Sequence, residues 1–222
     1  MRICDRAELF LHEYPTFVPF ENMKILVYLI RHGETYWNCE KRLQGQLDSP
    51  LTEEGLRQSR ALAGKLSALR FDAVYSSDLE RARHTVSIIT SLSDHTAIRY
   101  DDRIRERHFG DFQGLTWEEI SAKYPDEADR ELSGNPGNQV PGGESKYQLL
   151  ARTLAFFDDI VVRHAEQKVM VVSHGGVLNV WTKHVLRLPL ETPRRFHLYN
   201  TAINIFEFAD GQWWLKTMGE MV

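Results

Sequence analysis

Two apolar runs in this 222-residue chain stop at the same punctuation, a histidine followed by glycine. The run over residues 25–30 ends in Arg31-His32-Gly33, and the run over residues 168–173 ends in His174-Gly175-Gly176. Such runs predict strands buried on both faces. Open α/β sheets carry their ligands at the carboxyl ends of strands like these. A strand is also expected over residues 71–76, and the helix after it carries Arg81 in its first turns. If the three strands are parallel neighbours, His32, His174, Arg31 and Arg81 converge on one sheet edge. Two imidazoles among two guanidiniums make a poor metal site, because the cations repel a divalent ion. They make a good cradle for a dianionic phosphate, whose oxygens match the arginine fork. Neutral imidazole is a competent nucleophile toward phosphorus. A nearby carboxyl group would supply the proton that a leaving oxygen needs.

The chain as a whole restricts what that chemistry can serve. Its length suits one good core, or a core with a small insertion, and its 42% hydrophobic and 26% charged content is ordinary for a globular domain. A net charge of −4 argues against nonspecific nucleic-acid binding and against a basic membrane-binding face. Anion binding must therefore come from a local pocket. No apolar run approaches the roughly 18 residues of a membrane-spanning helix. Cys4 and Cys39 form neither a metal-ligand spacing nor a disulfide framework, which fits a reducing, cytoplasmic setting.

The elements that must position these groups can be read in order. Residues 1–22 mix charged and apolar side chains without a signal-peptide core and are expected to form an N-terminal extension. One domain is expected over residues 23–222. Thr52 can cap a helix to about Leu69, and Leu79, Ala82, Val86 and Ile89 mark the buried stripe of another. A short strand over residues 98–100 precedes Glu106-Arg107-His108-Phe109-Gly110. Thr116 and Glu119 have capping-box spacing. Residues 132–143 read as a loop; Tyr147, Leu150, Leu154, Phe157 and Val161 then mark a long amphipathic helix. Residues 203–208 and 213–218, joined across Asp210-Gly211, read as paired final strands. Alternation of strands and helices predicts a three-layer α/β/α sandwich with a mainly parallel sheet.

Seven blocks give these elements a family likeness. They are Leu29-Ile30-Arg31-His32-Gly33-Glu34-Thr35; Arg42-Leu43-Gln44-Gly45; Asp48 through Gly55; Ser76 through Ala82; Glu106 through Gly110; Gly143-Glu144-Ser145; and Ser173-His174-Gly175-Gly176. In this order the chain resembles the histidine phosphatase superfamily, also called phosphoglycerate mutase-like, over essentially all of residues 23–222. The resemblance implies that His32 is the nucleophile and forms a phosphohistidine. It implies that Arg31, Arg81 and His174 complete the phosphate pocket and that Glu106 is the general acid. Glu80, Glu118 and Glu119 are rivals for that last role, most simply read as solvated helix charges. Asn38, Arg42, Gln44, Gly45, Arg107 and Gly175 are expected to contact substrate, with His108 at the rim. The resemblance calls for no metal and no organic cofactor, and for a small phosphomonoester as substrate.

Hydrolysis and phosphoryl transfer between substrates are harder to separate. Gly176 stands where phosphoglycerate mutases usually carry Asn, and the segment from Glu106 to Gly143 shows no adjacent arginine pair. The stretch from Arg42 to Thr52 resembles the broad-specificity and α-ribazole phosphatases. Against this, residues 106–110 with Gln113-Gly114-Leu115 are similar to the mutase version. The expectation is a phosphatase; a cofactor-dependent mutase and an inactive phospho-ligand-binding module are the alternatives. One of Trp213 and Trp214 should be core and the other exposed, where that strand could meet a second copy in a homodimer.

Overall fold

Strands and helices assemble into three layers because the central strands are apolar on both faces. The structure, a computed structural model, describes residues 23–92 and 97–221. The extension expected over residues 1–22 lies outside these. In chain order come β1 (Ile25–Arg31), α1 (Tyr36–Cys39), α2 (Glu53–Leu66), β2 (Ala73–Ser76), α3 (Glu80–Thr90) and β3 (Ile98–Tyr100). They are followed by α4 (Trp117–Lys123), α5 (Pro125–Leu132), α6 (Lys146–Arg163), β4 (Lys168–Ser173), α7 (Gly175–Val185), β5 (Ile203–Ala209) and β6 (Gln212–Glu220).

Successive strand side chains emerge on opposite faces. Ile25, Val27 and Leu29 of β1 join Val169 and Val171 of β4 in one buried cluster, covered by Phe156, Phe157 and Ile160 of α6 and Trp181 of α7. Ile30, Met170 and Val172 face the other way, against Leu62 and Leu66 of α2 and Val86 and Ile89 of α3. A smaller cluster of Phe112, Ile120, Ala128 and Val140 holds α4 and α5 together outside the two main layers.

The strand order is β3-β2-β4-β1-β5-β6. β3, β2, β4 and β1 pair in parallel, and β5 runs antiparallel to both of its neighbours. The register aligns Arg31 with Ser173 across β1 and β4, and Ser76 with Val172 across β2 and β4. The three strand ends that carry the chemistry therefore leave the sheet side by side, with β4 in the middle.

Local signals place most boundaries. Thr52 caps α2 by accepting from Gly55 N–H, and capping boxes open α4 at Thr116–Glu119 and α6 at Ser145–Gln148. Two expectations need correction. α5 was not expected; Pro125 at its first turn is the start signal. The buried face of α6 is Leu149, Thr153, Phe156, Phe157, Ile160 and Val161: Phe157 and Val161 of the expected stripe lie on it, Leu150 and Leu154 are half-buried, and Tyr147 is exposed. The capping box fixes the helix start, and a 3.6-residue period counted from Leu149 gives the observed face. At the far edge Trp213 packs on Phe157, Trp181 and Phe208, while Trp214 is exposed.

Candidate active site

His32 and His174 follow β1 and β4, and each is buried. Their ring centroids are 5.2 Å apart with the planes tilted by 54°. His32 N–H continues the ladder by donating to Ser173 O at 2.9 Å, which fixes its backbone beside β4. Its Nδ1 lies 2.7 Å from Gly33 O. A carbonyl can only accept, so Nδ1 carries the proton and Nε2 keeps its lone pair. Burial, then the charges of Arg81 and Arg31, holds the His32 ring well below the usual histidine range. Burial followed by the charges of Arg81, His32, Arg152 and Arg31 does the same for His174. Both rings are neutral at neutral pH.

Arg31 is held by a backbone carbonyl, and Arg81 by two backbone carbonyls and the carboxylate of Asp48. Arg31 Nη1 donates to Leu198 O at 2.6 Å. The Arg81 side chain is fully buried; Nη2 donates to Gly45 O at 2.7 Å, and Nη1 to Leu47 O and Asp48 Oδ1, each at 2.8 Å. Asp48 also accepts from Glu80 and Arg81 N–H, so it caps α3 where Leu79 cannot. Arg31 Nε, Arg81 Nε and both ring nitrogens of His174 are buried without a partner among the described residues. Buried polar groups are almost always satisfied, and exceptions gathered in one place mark a functional site. Next to them α7 begins at Gly175 with no side-chain cap, so its first-turn N–H groups add to an anion-binding end.

Glu106 reaches this end of α7. Its Oε2 accepts from Gly176 N–H at 3.0 Å and its Oε1 from Arg107 N–H at 2.7 Å. The rival carboxylates are engaged elsewhere: Glu119 closes the Thr116 capping box and pairs with Arg42, and Glu80 and Glu118 are exposed.

The expected substrate contacts divide. Asn38 accepts through Oδ1 from Thr35 N–H and from Asn200 Nδ2, which leaves its own Nδ2 for an outside acceptor. Gln44 is buried, and its Oε1 has no partner among the described residues. Gly45 contributes a carbonyl to Arg81, so its influence on a ligand is indirect. Gly175 opens α7 against Arg31. Two expectations are overturned. Arg42 is committed to Glu40, Glu119 and Gly114 O, a clip between loops. Arg107 is buried in a two-pronged pair with Glu131 and also donates to Glu144 O and Asn138 O, a strut behind the site. Sequence reasoning missed Asp48 and Asn200. Asp48 stands in a family block ahead of Arg81, which was a usable signal. Asn200, whose Nδ2 donates to His32 O at 2.8 Å, lies 168 residues away in no motif.

The family model described as the histidine phosphatase superfamily (branch 1) matches residues 27–221. A metal-independent phosphoserine phosphatase of Arabidopsis thaliana is 36% identical over 197 residues, spanning 88% of this chain and 81% of the relative. A probable phosphoglycerate mutase, GpmB, of Yersinia pestis is 34% identical over 187 residues, spanning 84% and 86%. The solved structure of Bacillus stearothermophilus YhfR superimposes with a TM-score of 0.81 at 33% identity, over 89% of this chain and 98% of that one.

Proposed function

Because the chain belongs to the histidine phosphatase superfamily (branch 1), we propose that it is a phosphomonoesterase that hydrolyses a small phosphorylated metabolite through a phosphohistidine at His32. The observation that carries this reading is the pair of buried, neutral imidazoles facing each other beside the unpartnered Nε groups of two arginines. In the first step His32 Nε2 attacks phosphorus, and the bond from phosphorus to the ester oxygen breaks. Glu106 gives its proton to that oxygen. Arg31, Arg81, His174 and the first turn of α7 hold the phosphoryl oxygens as negative charge spreads over them. In the second step water attacks phosphorus, Glu106 takes the proton from that water, and the bond to Nε2 breaks. Inorganic phosphate and neutral His32 remain.

A mutase reading draws on the Yersinia relative and on residues 106–110. Hydrolysis is favoured by Gly176, which admits Glu106 to the α7 N-terminus, where a larger side chain would displace the carboxyl group. The phosphoserine phosphatase and phosphoglycerate mutase names suggest phosphorylated three-carbon acids as the first substrates to try. Hydrolysis of p-nitrophenyl phosphate, lost in His32→Ala, supports an enzyme over a binding module. Incubation of 3-phosphoglycerate with and without 2,3-bisphosphoglycerate separates the two enzymes: release of phosphate supports the proposal, and net isomer interconversion overturns it.

A further inference from the structure

The segment that carries Glu106 has no regular secondary structure to hold it, and the two short 3-10 turns on either side, at Asp102–Ile104 and Gly110–Phe112, do not reach it. A general acid must be placed to within a fraction of an ångström of the leaving oxygen. Something else must do the holding. From the middle of α6, Arg152 reaches under this segment. Its Nη1 donates to Arg103 O at 2.7 Å and to Arg105 O at 2.6 Å, and its Nη2 to Glu106 O at 2.8 Å.

Glu144 locks the other side of the fork. Its Oε1 accepts from Arg152 Nε at 3.0 Å and its Oε2 from Arg152 Nη2 at 2.7 Å. The same Oε2 accepts from His108 N–H at 2.7 Å, and Glu144 N–H donates to His108 O at 2.9 Å. Residues 106 and 108 are thus gripped from both sides of Arg107. The packing leaves no slack. A Cβ on Gly110 would overlap Pro141 O, and one on Gly143 would overlap His108 O and Gly110 N. Every donor on this guanidinium is spent on the segment or on Glu144 except in so far as its charge reaches His174. An arginine that only stabilised α6 would pair along its own helix; this one gathers successive carbonyls of the strand-like segment before and at the acid.

We propose that the Glu144–Arg152 pair is the positioning device for Glu106, fixing the backbone from which its carboxyl group reaches between the α7 N-terminus and the leaving oxygen. Arg152 is a positioning residue, acting through Glu106 without touching substrate. The inference rests on the assignment of Glu106 as the acid, and its test follows proton delivery separately from phosphate binding. Proton delivery limits esters with poor leaving groups, such as β-glycerophosphate, and matters little for 2,4-dinitrophenyl phosphate, whose leaving group needs no proton.

The experiment measures kcat and KM for both esters in the full chain, in Arg152→Gln, Arg152→Lys and Glu144→Gln, and in each combined with Glu106→Gln, with thermal unfolding followed alongside. Arg152→Gln should lower kcat/KM, which reports the first step and not the water attack common to both esters, by roughly tenfold or more on β-glycerophosphate beyond its effect on the dinitrophenyl ester. Arg152→Lys should recover part of the loss. In the Glu106→Gln background the same substitutions should cost almost nothing further, since the group they position is gone. Equal losses of kcat/KM on both esters, or full additivity with Glu106→Gln, would overturn the proposal. Should Arg152→Gln fail to fold, Arg152→Lys and Glu144→Gln carry the same comparison. Failure of the unaltered protein to hydrolyse either ester would overturn the phosphatase reading itself, an outcome distinct from loss of selectivity in the variants.

Discussion

Gly176 and Glu106 meet with no room between them: the Gly176 N–H donates to Oε2 at 3.0 Å, and a Cβ built on Gly176 would overlap Oε1. The acid is therefore seated against a helix N-terminus that only a glycine leaves open. Gly176→Ala should push the carboxyl group aside and lower kcat on alkyl phosphates by roughly ten- to a hundredfold. The helix itself should gain from alanine, so unfolding temperature should not fall with activity. Unchanged kcat on β-glycerophosphate would show that Glu106 can work from elsewhere.

Glu106→Gln keeps the shape and removes the proton. Its cost on alkyl phosphates should lie in the range of about 10²- to 10⁴-fold expected of a general acid. On 2,4-dinitrophenyl phosphate the first step should be nearly untouched. Equal losses of kcat/KM on the two esters would remove Glu106 from the role.

The buried imidazoles make stability depend on pH. His32 and His174 are held well below the ordinary histidine value in the folded state, so below about pH 6.5 the unfolded chain binds more protons. Stability is then full above that value and falls as pH drops through it. Urea unfolding at steps from pH 8 to pH 5 should show the midpoint falling below about pH 6.5, with a slope that decreases by one proton in His174→Gln. A midpoint independent of pH in this window would contradict the burial of neutral rings.

Arg107 spends its donors on Glu131, Glu144 O and Asn138 O, and its pair with Glu131 is nearly dry, with side-chain exposures of 4% and 10%. Removing one partner of a buried pair costs about 3–5 kcal/mol when the other is left alone, and here Lys146 Nζ, 3.8 Å from Glu131 Oε1, makes that an upper bound. Arg107→Met should lose stability up to that bound with KM changed by less than about threefold. A tenfold rise in KM at unchanged stability would return Arg107 to the substrate pocket.

The parts of the site that follow from chain direction were legible in the sequence. Apolar runs ending in His-Gly located β1 and β4, and the parallel register brought His32 and His174 together. Charge was less legible, because a guanidinium says nothing of its partner. Arg42 and Arg107 stand in family blocks beside active residues, yet both are consumed by carboxylates and carbonyls distant in sequence. Asn200 and Arg152 act on backbone carbonyls, contacts that leave no pattern in residue type or spacing. Helix α5 escaped notice because it is short, charged and mostly exposed, and only Ala128 is buried.

The most direct test is to catch the phosphoryl group on the protein. Rapid acid-free quench of the full chain with phosphoryl-labelled p-nitrophenyl phosphate, followed by peptide mapping at alkaline pH, should place one acid-labile phosphoryl group on His32. His32→Ala should form none and hydrolyse nothing, while Glu106→Gln should still become labelled. A label on any other residue, or turnover persisting in His32→Ala, would contradict the nucleophile and the mechanism built on it.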